Sequence, residues 1–327
     1  MGKIHKPRAG SLQVWPRKRA AKALPGVNWR PLQLKNSDKK FLGFIGYKAG
    51  MLRIIARDLT QDSMTKNKKI VVPVTAVEVP PMKILSIRFY KKIDNRLKII
   101  TDFTASNLDK ELKKKIKLSK KTETKSLDEL EKRIDEFHDI RAVVYSLVKK
   151  TEKKKTPEII ELGLGGNVKE KFDFLKANLG KELSFKEFFE KGQLIDVRGL
   201  TKGYGLQGPV KRFGIGFRSH KAEKGRRNPG SLGPWHPARV TFRAPQAGQL
   251  GFFSRVHYNQ KIVDIGRAED FHKNILDLGH YGKIKTDYVL VKGSIQGPAK
   301  RSLILTFPLR ETKKTKKQNY EVLSLEK

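Results

Sequence analysis

The sequence predicts an α+β fold: a split β-barrel or sandwich of short strands, interrupted by an inserted α/β domain and carrying a long basic loop and an extended N-terminal arm. Three observations lead there. Short runs rich in Ile, Val and Phe occur towards both ends of the chain, with helix-forming texture between them. From Gly203 to Pro237, glycine and proline recur at intervals too short for a helix and too irregular for a strand. The first 40 residues show neither a period of 2 nor one of 3.6.

Those 40 residues hold eleven Lys or Arg and one acid, Asp38, with Trp15 and Trp29 standing singly among four prolines. Without a face to bury, residues 1–40 read as an extended arm that gains order on a partner. A disordered tail is the alternative, although such tails are usually poor in aromatics. Phe41–Tyr47, Met51–Ala56, Ile70–Val79 and Met82–Tyr90 then read as strands, separated by Ala49 and Gly50 or by Pro80 and Pro81. Strand texture returns at Leu194–Gly199, Ala238–Phe242, Val256–Ile265, Tyr288–Val291 and Ser302–Phe307. Residues 41–93 and 192–310 are therefore expected to form the barrel.

Residues 94–191 are expected to form the insertion. Ser126 with Glu129 makes a capping box ahead of Leu127, Leu130, Ile134 and Phe137 on one helical face. Asn167 with Glu170 opens a second helix that buries Val168, Phe172, Leu175 and Leu179 and stops at Gly180. Ser184 with Glu187 predicts a third, carrying Phe185, Phe188 and Phe189 as far as Gly192. Ala142–Val148 and Glu158–Leu162 read as buried strands, and the lysine run Lys110–Lys125 as a solvated or RNA-facing link. The tail, 311–327, is polar with a short apolar end at Val322, Leu323 and Leu325, able to dock or to fray.

Charge narrows the function. Lys and Arg number 71 against 33 Asp and Glu, a formal charge of +38, and such self-repulsion calls for a partner that screens it, phosphate first. Cysteine is absent, which excludes disulfides, thiolate zinc sites and cysteine nucleophiles. No apolar run reaches membrane-spanning length and no signal-peptide block opens the chain, so a cytoplasmic protein without a membrane partner is expected. The seven histidines are scattered singly, without metal-ligand spacing.

The cations concentrate between Gly199 and Val263, a stretch with a dozen Lys or Arg and Glu223 as its one acid. Tyr204, Phe213, Phe217, Trp235 and His236 are interleaved with them. Cations bind phosphate, glycine admits close backbone approach, and flat rings stack on unpaired bases, so folded RNA is the ligand this mixture suits. The candidate contacts are Lys202, Lys211, Arg212, Arg218, His220, Lys221, Lys224, Arg226, Arg227, Trp235, His236, Arg239 and Arg243, with Arg17, Lys18 and Arg19 in the arm. Pro234 and Pro237 stiffen the backbone around Trp235; the competing reading has the indole packed inside the loop. One enzyme-like signal competes. Glu161, Gly163, Gly165 and Gly166 form ELGLGG between a strand and a helix, the layout of a methyl-donor site, which admits an RNA-modifying enzyme using S-adenosylmethionine. Against it, two consecutive helices follow instead of the alternation a doubly wound sheet needs.

Phe189, Asp196, Gly199, Thr201, Gly203, Gly205, Gly208 and Arg212 resemble the signature of the large-subunit ribosomal protein L three family. Gly230–Val240, GSLGPWHPARV, is similar to the tip of the central extension in its archaeal and eukaryotic members. Tyr204 departs from the basic residue usual between the two glycines. The resemblance implies a translation-protein-like barrel and no enzymatic activity, cofactor or small-molecule substrate. It further implies binding to the 3′ domain of the large-subunit (23S-type) rRNA early in assembly, beside neighbouring large-subunit proteins. The loop would run toward the peptidyl transferase centre with Trp235 near its tip, and His220 is the nearest candidate for the family's modified histidine.

Overall fold

The computed structural model describes residues 11–38, 40–117, 127–272, 275 and 277–326. The chain forms two compact units, one of residues 23–199 and 255–327 and one of residues 1–22 and 200–254. Strands in chain order are β1 (Gly43–Asp58), β2 (Lys69–Glu78), β3 (Met82–Ile93), β4 (Arg96–Thr104), β5 (Asp139–Ser146), β6 (Ile159–Gly163) and β7 (Leu194–Leu200). There follow β8 (Gly203–Gln207), β9 (Gly248–Gly251), β10 (Ser254–Gly266), β11 (Tyr288–Lys292), β12 (Ser302–Thr306) and β13 (Tyr320–Glu326). Helices are short: α1 (Arg30–Lys35), α2 (Leu127–Lys132), α3 (Val168–Asn178), α4 (Pro209–Phe213), α5 (Ala268–His272) and α6 (Lys313–Lys317). Mostly antiparallel sheets with few helices make this a mixed α and β protein, consistent with α+β.

In the larger unit, seven strands run in the order β12-β7-β10-β11-β2-β1-β13, and β12 pairs with β1 as well. β1 serves two partners because it is long: Gly43–Tyr47 lie along β12, and Arg53–Asp58 along β13. The Ala49-Gly50 pair expected to be a turn is instead a register shift within this one strand, where Lys48 and Gly50 pair with adjacent residues of β2. Met82–Tyr90, grouped by sequence with the barrel strands, belongs to a second, four-stranded sheet of order β4-β3-β5-β6; Pro80 and Pro81 end pairing with the first sheet before β3 begins. A single apolar cluster spans both sheets, from Phe41, Phe44 and Leu305 to Phe89, Ile140 and Phe172.

Several local expectations hold. α3 starts at the Asn167–Glu170 capping box, with the Asn167 N–H donating to Glu170 Oε2 at 3.2 Å, and buries Phe172 and Leu175. Leu130, Ile134 and Phe137 are buried, but not on one helical face: α2 ends at Lys132, Ile134 lies in a 3-10 turn and Phe137 is extended; the Ser126 cap lies outside the described residues, as does the lysine run from 118 on. Others need correction. Ser184–Gly192 is not a full helix but a single 3-10 turn, Phe185–Glu187, after which the chain leaves the helical path; Phe185 stacks on Phe189 and Phe189 on Phe307, each pair at 4.6 Å. Ala238–Phe242 forms no strand: all five residues are exposed, so the segment has no buried face to hold it in a sheet. The tail from Tyr320 docks as β13, with Leu325 buried. Residues 23–38 are not part of a free arm, since Trp29 and Leu32 are buried in the main cluster.

Candidate nucleic-acid interface

The smaller unit is built around the pairing of β8 with β9, which joins the two ends of residues 208–247. Gly251, at φ +73°, lets β9 approach so closely that a Cβ there would sit 2.0 Å from the Lys202 carbonyl oxygen. α4 begins with Pro209 and ends at Gly214, whose φ of +68° closes the turn through its N–H to Val210 O at 2.8 Å. Beyond Gly214, up to Ala247, no helix or strand occurs among the described residues.

Residues 11–22 are pinned within the same unit. Trp15 packs against Phe213 at 5.6 Å and Phe242 at 6.4 Å, with the Arg17 guanidinium 4.7 Å from the Trp15 ring and 4.4 Å from that of Phe213. Arg212 donates from Nε to Gln249 O (3.0 Å), from Nη1 to Gln246 O (2.9 Å) and from Nη2 to Arg17 O (3.0 Å), and Arg17 returns a bond to Arg212 O. The Ala20 N–H reaches Phe252 O at 3.0 Å. Arg17 and Arg212, two of the candidate RNA contacts, are thus half-buried and committed to holding this unit together. Sequence reading missed this bracing, whose one visible signal was Trp15 and Arg17 sitting two apart in an otherwise featureless arm.

The remaining candidates face outward. Lys202, Lys211, Arg218, His220, Lys221, Lys224, Arg226, Arg227, His236, Arg239 and Arg243 are exposed, as are Lys18 and Arg19. Among the described residues, none of these Lys or Arg forms an ion pair with a carboxylate. What several meet are rings: Lys211 lies 5.2 Å from Tyr204, Arg226 and Arg227 lie 5.7 and 5.3 Å from Phe217, and Arg243 lies 5.7 Å from Phe242. Trp235 is 85% exposed, so its indole is presented and not packed inside the loop. Unpaired cations beside open aromatic faces can take phosphates and bases together.

The chain matches the family model described as ribosomal protein L3 over residues 1–326. It is also 40% identical over 322 residues to the large ribosomal subunit protein uL3 of Methanobrevibacter smithii, covering 96% of this chain and 95% of that one. The proteins of the same name from Methanocaldococcus jannaschii and Archaeoglobus fulgidus are each 39% identical, over 94% and 95% of this chain and 92% and 94% of theirs. The chain belongs to the ribosomal protein L3 family. A ribosomal protein L3 is a structural component, not an enzyme.

Membership gives no support to the enzyme alternative for this L3 chain, and packing accounts for its glycine run. Glu161 accepts from Arg88, Arg141 and Tyr90, at 3.0, 2.9 and 2.9 Å. A Cβ on Gly163 would stand 2.7 Å from Trp29 Cβ, so glycine is needed there for the indole to pack. Gly166, at φ +94°, lies against the Glu170 carboxylate of the capping box. Among the described residues, no three His, Asp or Glu side chains gather to hold a metal, and no helix is long and apolar enough to cross a membrane.

Proposed function

We propose that this L3-family chain is a structural constituent of the large ribosomal subunit that binds large-subunit, 23S-type rRNA near its 3′ end and helps nucleate early assembly. On this reading residues 203–237 reach toward the peptidyl transferase centre, neighbouring large-subunit proteins flank the larger unit, and the chain works in the cytoplasm within the ribosome. The relatives named above carry the large ribosomal subunit in their names, which supports the assignment. The strand order that returns from β12 to β1 is read as the split barrel, and the sheet β4-β3-β5-β6 with α3 as the core of the insertion. The reaction at the catalytic centre would belong to RNA, and this chain would set RNA geometry.

The observation that carries the proposal is the outward row of cations without carboxylates, from Lys202 to Arg243, presented with Trp235. Electrostatic neutralisation of RNA releases counterions, so affinity must fall steeply with salt. If about ten phosphates are contacted, the logarithm of the association constant of the purified chain for transcribed large-subunit rRNA falls against log salt with a slope of about −7 to −9. A slope near about −1 overturns the reading, because so few released ions cannot account for a row of this size.

A further inference from the structure

We propose that Arg198 and Tyr258, outside the basic loop, form a second RNA-contact site that takes a phosphodiester on the guanidinium and an unpaired base against the phenol ring. The inference rests on the rRNA-binding reading and says where the larger unit takes part in it.

Its organiser is Asp196. This carboxylate is fully buried on β7, and each of its oxygens is taken by a backbone amide: Oδ1 by Asn259 N–H at 2.9 Å and Oδ2 by Leu309 N–H at 2.9 Å. With both oxygens committed, Asp196 makes no ion pair with Arg198, two residues along on the same face of the strand. Arg198 donates from Nε to Thr306 Oγ1 at a long 3.4 Å and has no other hydrogen bond or ion pair among the described residues. A guanidinium offers five N–H donors in a planar fork. Here the two terminal nitrogens stay uncommitted on a half-buried side chain. Burial pulls the group below its ordinary pKa, opposed by the fields of Asp196 and Tyr258; β10, which carries Tyr258, lies next to β7 in the sheet, and the Asn259 bond to Asp196 fixes the two strands together at this point. The Arg198 terminal nitrogens are not among the buried unpartnered atoms and so stay open to solvent and to a ligand, while the one buried side-chain atom without a partner among the described residues is Asn259 Oδ1, on the residue next to Tyr258.

The surroundings match phosphate. Tyr258, 52% exposed, stands on β10 beside Asn259, whose backbone is held at φ +55° by the Asp196 bond and whose Nδ2 donates to Thr312 Oγ1 at 2.9 Å. Those two tethers, at Leu309 and Thr312, set the exposed Arg310 and Lys313 next to the site. The intervening acid, Glu311, is engaged by Lys316 at 2.8 Å and Lys35 at 3.6 Å. An exposed tyrosine alone is ordinary. Beside a guanidinium whose terminal nitrogens have no protein partner among the described residues, and two exposed cations, it makes a place where one nucleotide can be held by charge and by stacking.

The test uses the full chain with transcribed large-subunit rRNA across a potassium chloride series, with thermal unfolding as the control for folding. Arg198→Ala is expected to reduce the magnitude of the log–log salt slope by about 1, and Arg198→Lys to keep the slope with weaker binding, because a point charge replaces the fork. Tyr258→Ala is expected to weaken binding roughly 5- to 150-fold at unchanged slope, with Tyr258→Trp close to the parent. Tyr258 is exposed, so its variants stay informative even if Arg198→Ala unfolds. RRNA binding by the parent chain, together with unchanged affinity and slope in folded Tyr258→Ala, overturns this site alone and leaves the surface to a protein neighbour. Failure of the parent chain to bind rRNA overturns the proposed function as well.

Discussion

The four-stranded sheet and the basic loop use arginine and lysine in opposite ways. In the four-stranded sheet, register sets Arg88 opposite Asp102 on one side and Arg141 on the other. The acids between them close a chain of contacts: Arg88 to Asp102 at 2.8 Å and Glu161 at 3.0 Å, Arg141 to Glu161 and Asp139 at 2.9 Å each, and Lys171 to Asp139 at 2.8 Å. In residues 200–254 ten Lys or Arg face one acid, Glu223, and the exposed cations meet rings or solvent. The first arrangement spends its charge holding strands and α3 in place. The second leaves its exposed charge without carboxylate partners among the described residues. Composition counts both alike; the spacing of acids tells them apart.

The sharpest way to break the comparison is to remove an acid from the paired region. Lys171 and Asp139 are both buried, so Asp139→Ala strands an ammonium and removes one of the two carboxylates of Arg141. Breaking a buried pair from one side typically costs about 3–5 kcal/mol. Urea unfolding should show a loss of that size with little change in rRNA affinity at temperatures where the variant is folded. A loss under about 1 kcal/mol would mean that water already compensates these groups, as it does for exposed pairs.

How far the sequence foretold this division depends on the range of the forces involved. Strand texture located β2, β5, β7, β10, β11 and β12 to within a few residues, because apolar residues bounded by turn residues are a local signal. β4 escaped: its residues are almost all exposed, so Leu97, Ile99 and Ile100 give no alternation of buried and open positions. β8 and β9 escaped because glycines dominate them and their pairing spans forty positions. The Ser184–Glu187 capping box forms as expected, but the turn it opens is only three residues long, and the packing of Phe189 on Phe307 is a contact invisible to local pattern. For the site, the exposed cations and Trp235 were legible from the missing counter-charges. That Arg17 and Arg212 are structural was not, since it depends on carbonyl groups brought together only by folding.

A smaller effect is expected at Trp235. Its indole contributes almost nothing to the folded chain at 85% exposure, so Trp235→Ala should leave the thermal midpoint in place. If the ring stacks on a base, the same change weakens rRNA binding by about 1–3 kcal/mol. Titration of labelled rRNA fragments reads the difference, and Trp235→Phe should recover part of it. Equal affinity of parent and alanine variant would reduce the tip to a spacer.

The smallest change in stability is expected where the charge is densest. Arg226 and Arg227 are adjacent, share the Phe217 ring at 5.7 and 5.3 Å, and have no carboxylate among the described residues. Replacing both with alanine removes two exposed ring contacts and relieves the repulsion between two adjacent like charges, and surface substitutions of this kind usually stay within about 0.5 kcal/mol. Unfolding free energy should therefore move by less than about 0.5 kcal/mol. The rRNA salt slope, in contrast, should fall in magnitude by about 1.5–2 if both contact phosphate. A chain that loses stability instead of slope would show that these arginines serve the fold as Arg88 and Arg141 do, and the distinction between paired and unpaired cation would no longer separate the two regions.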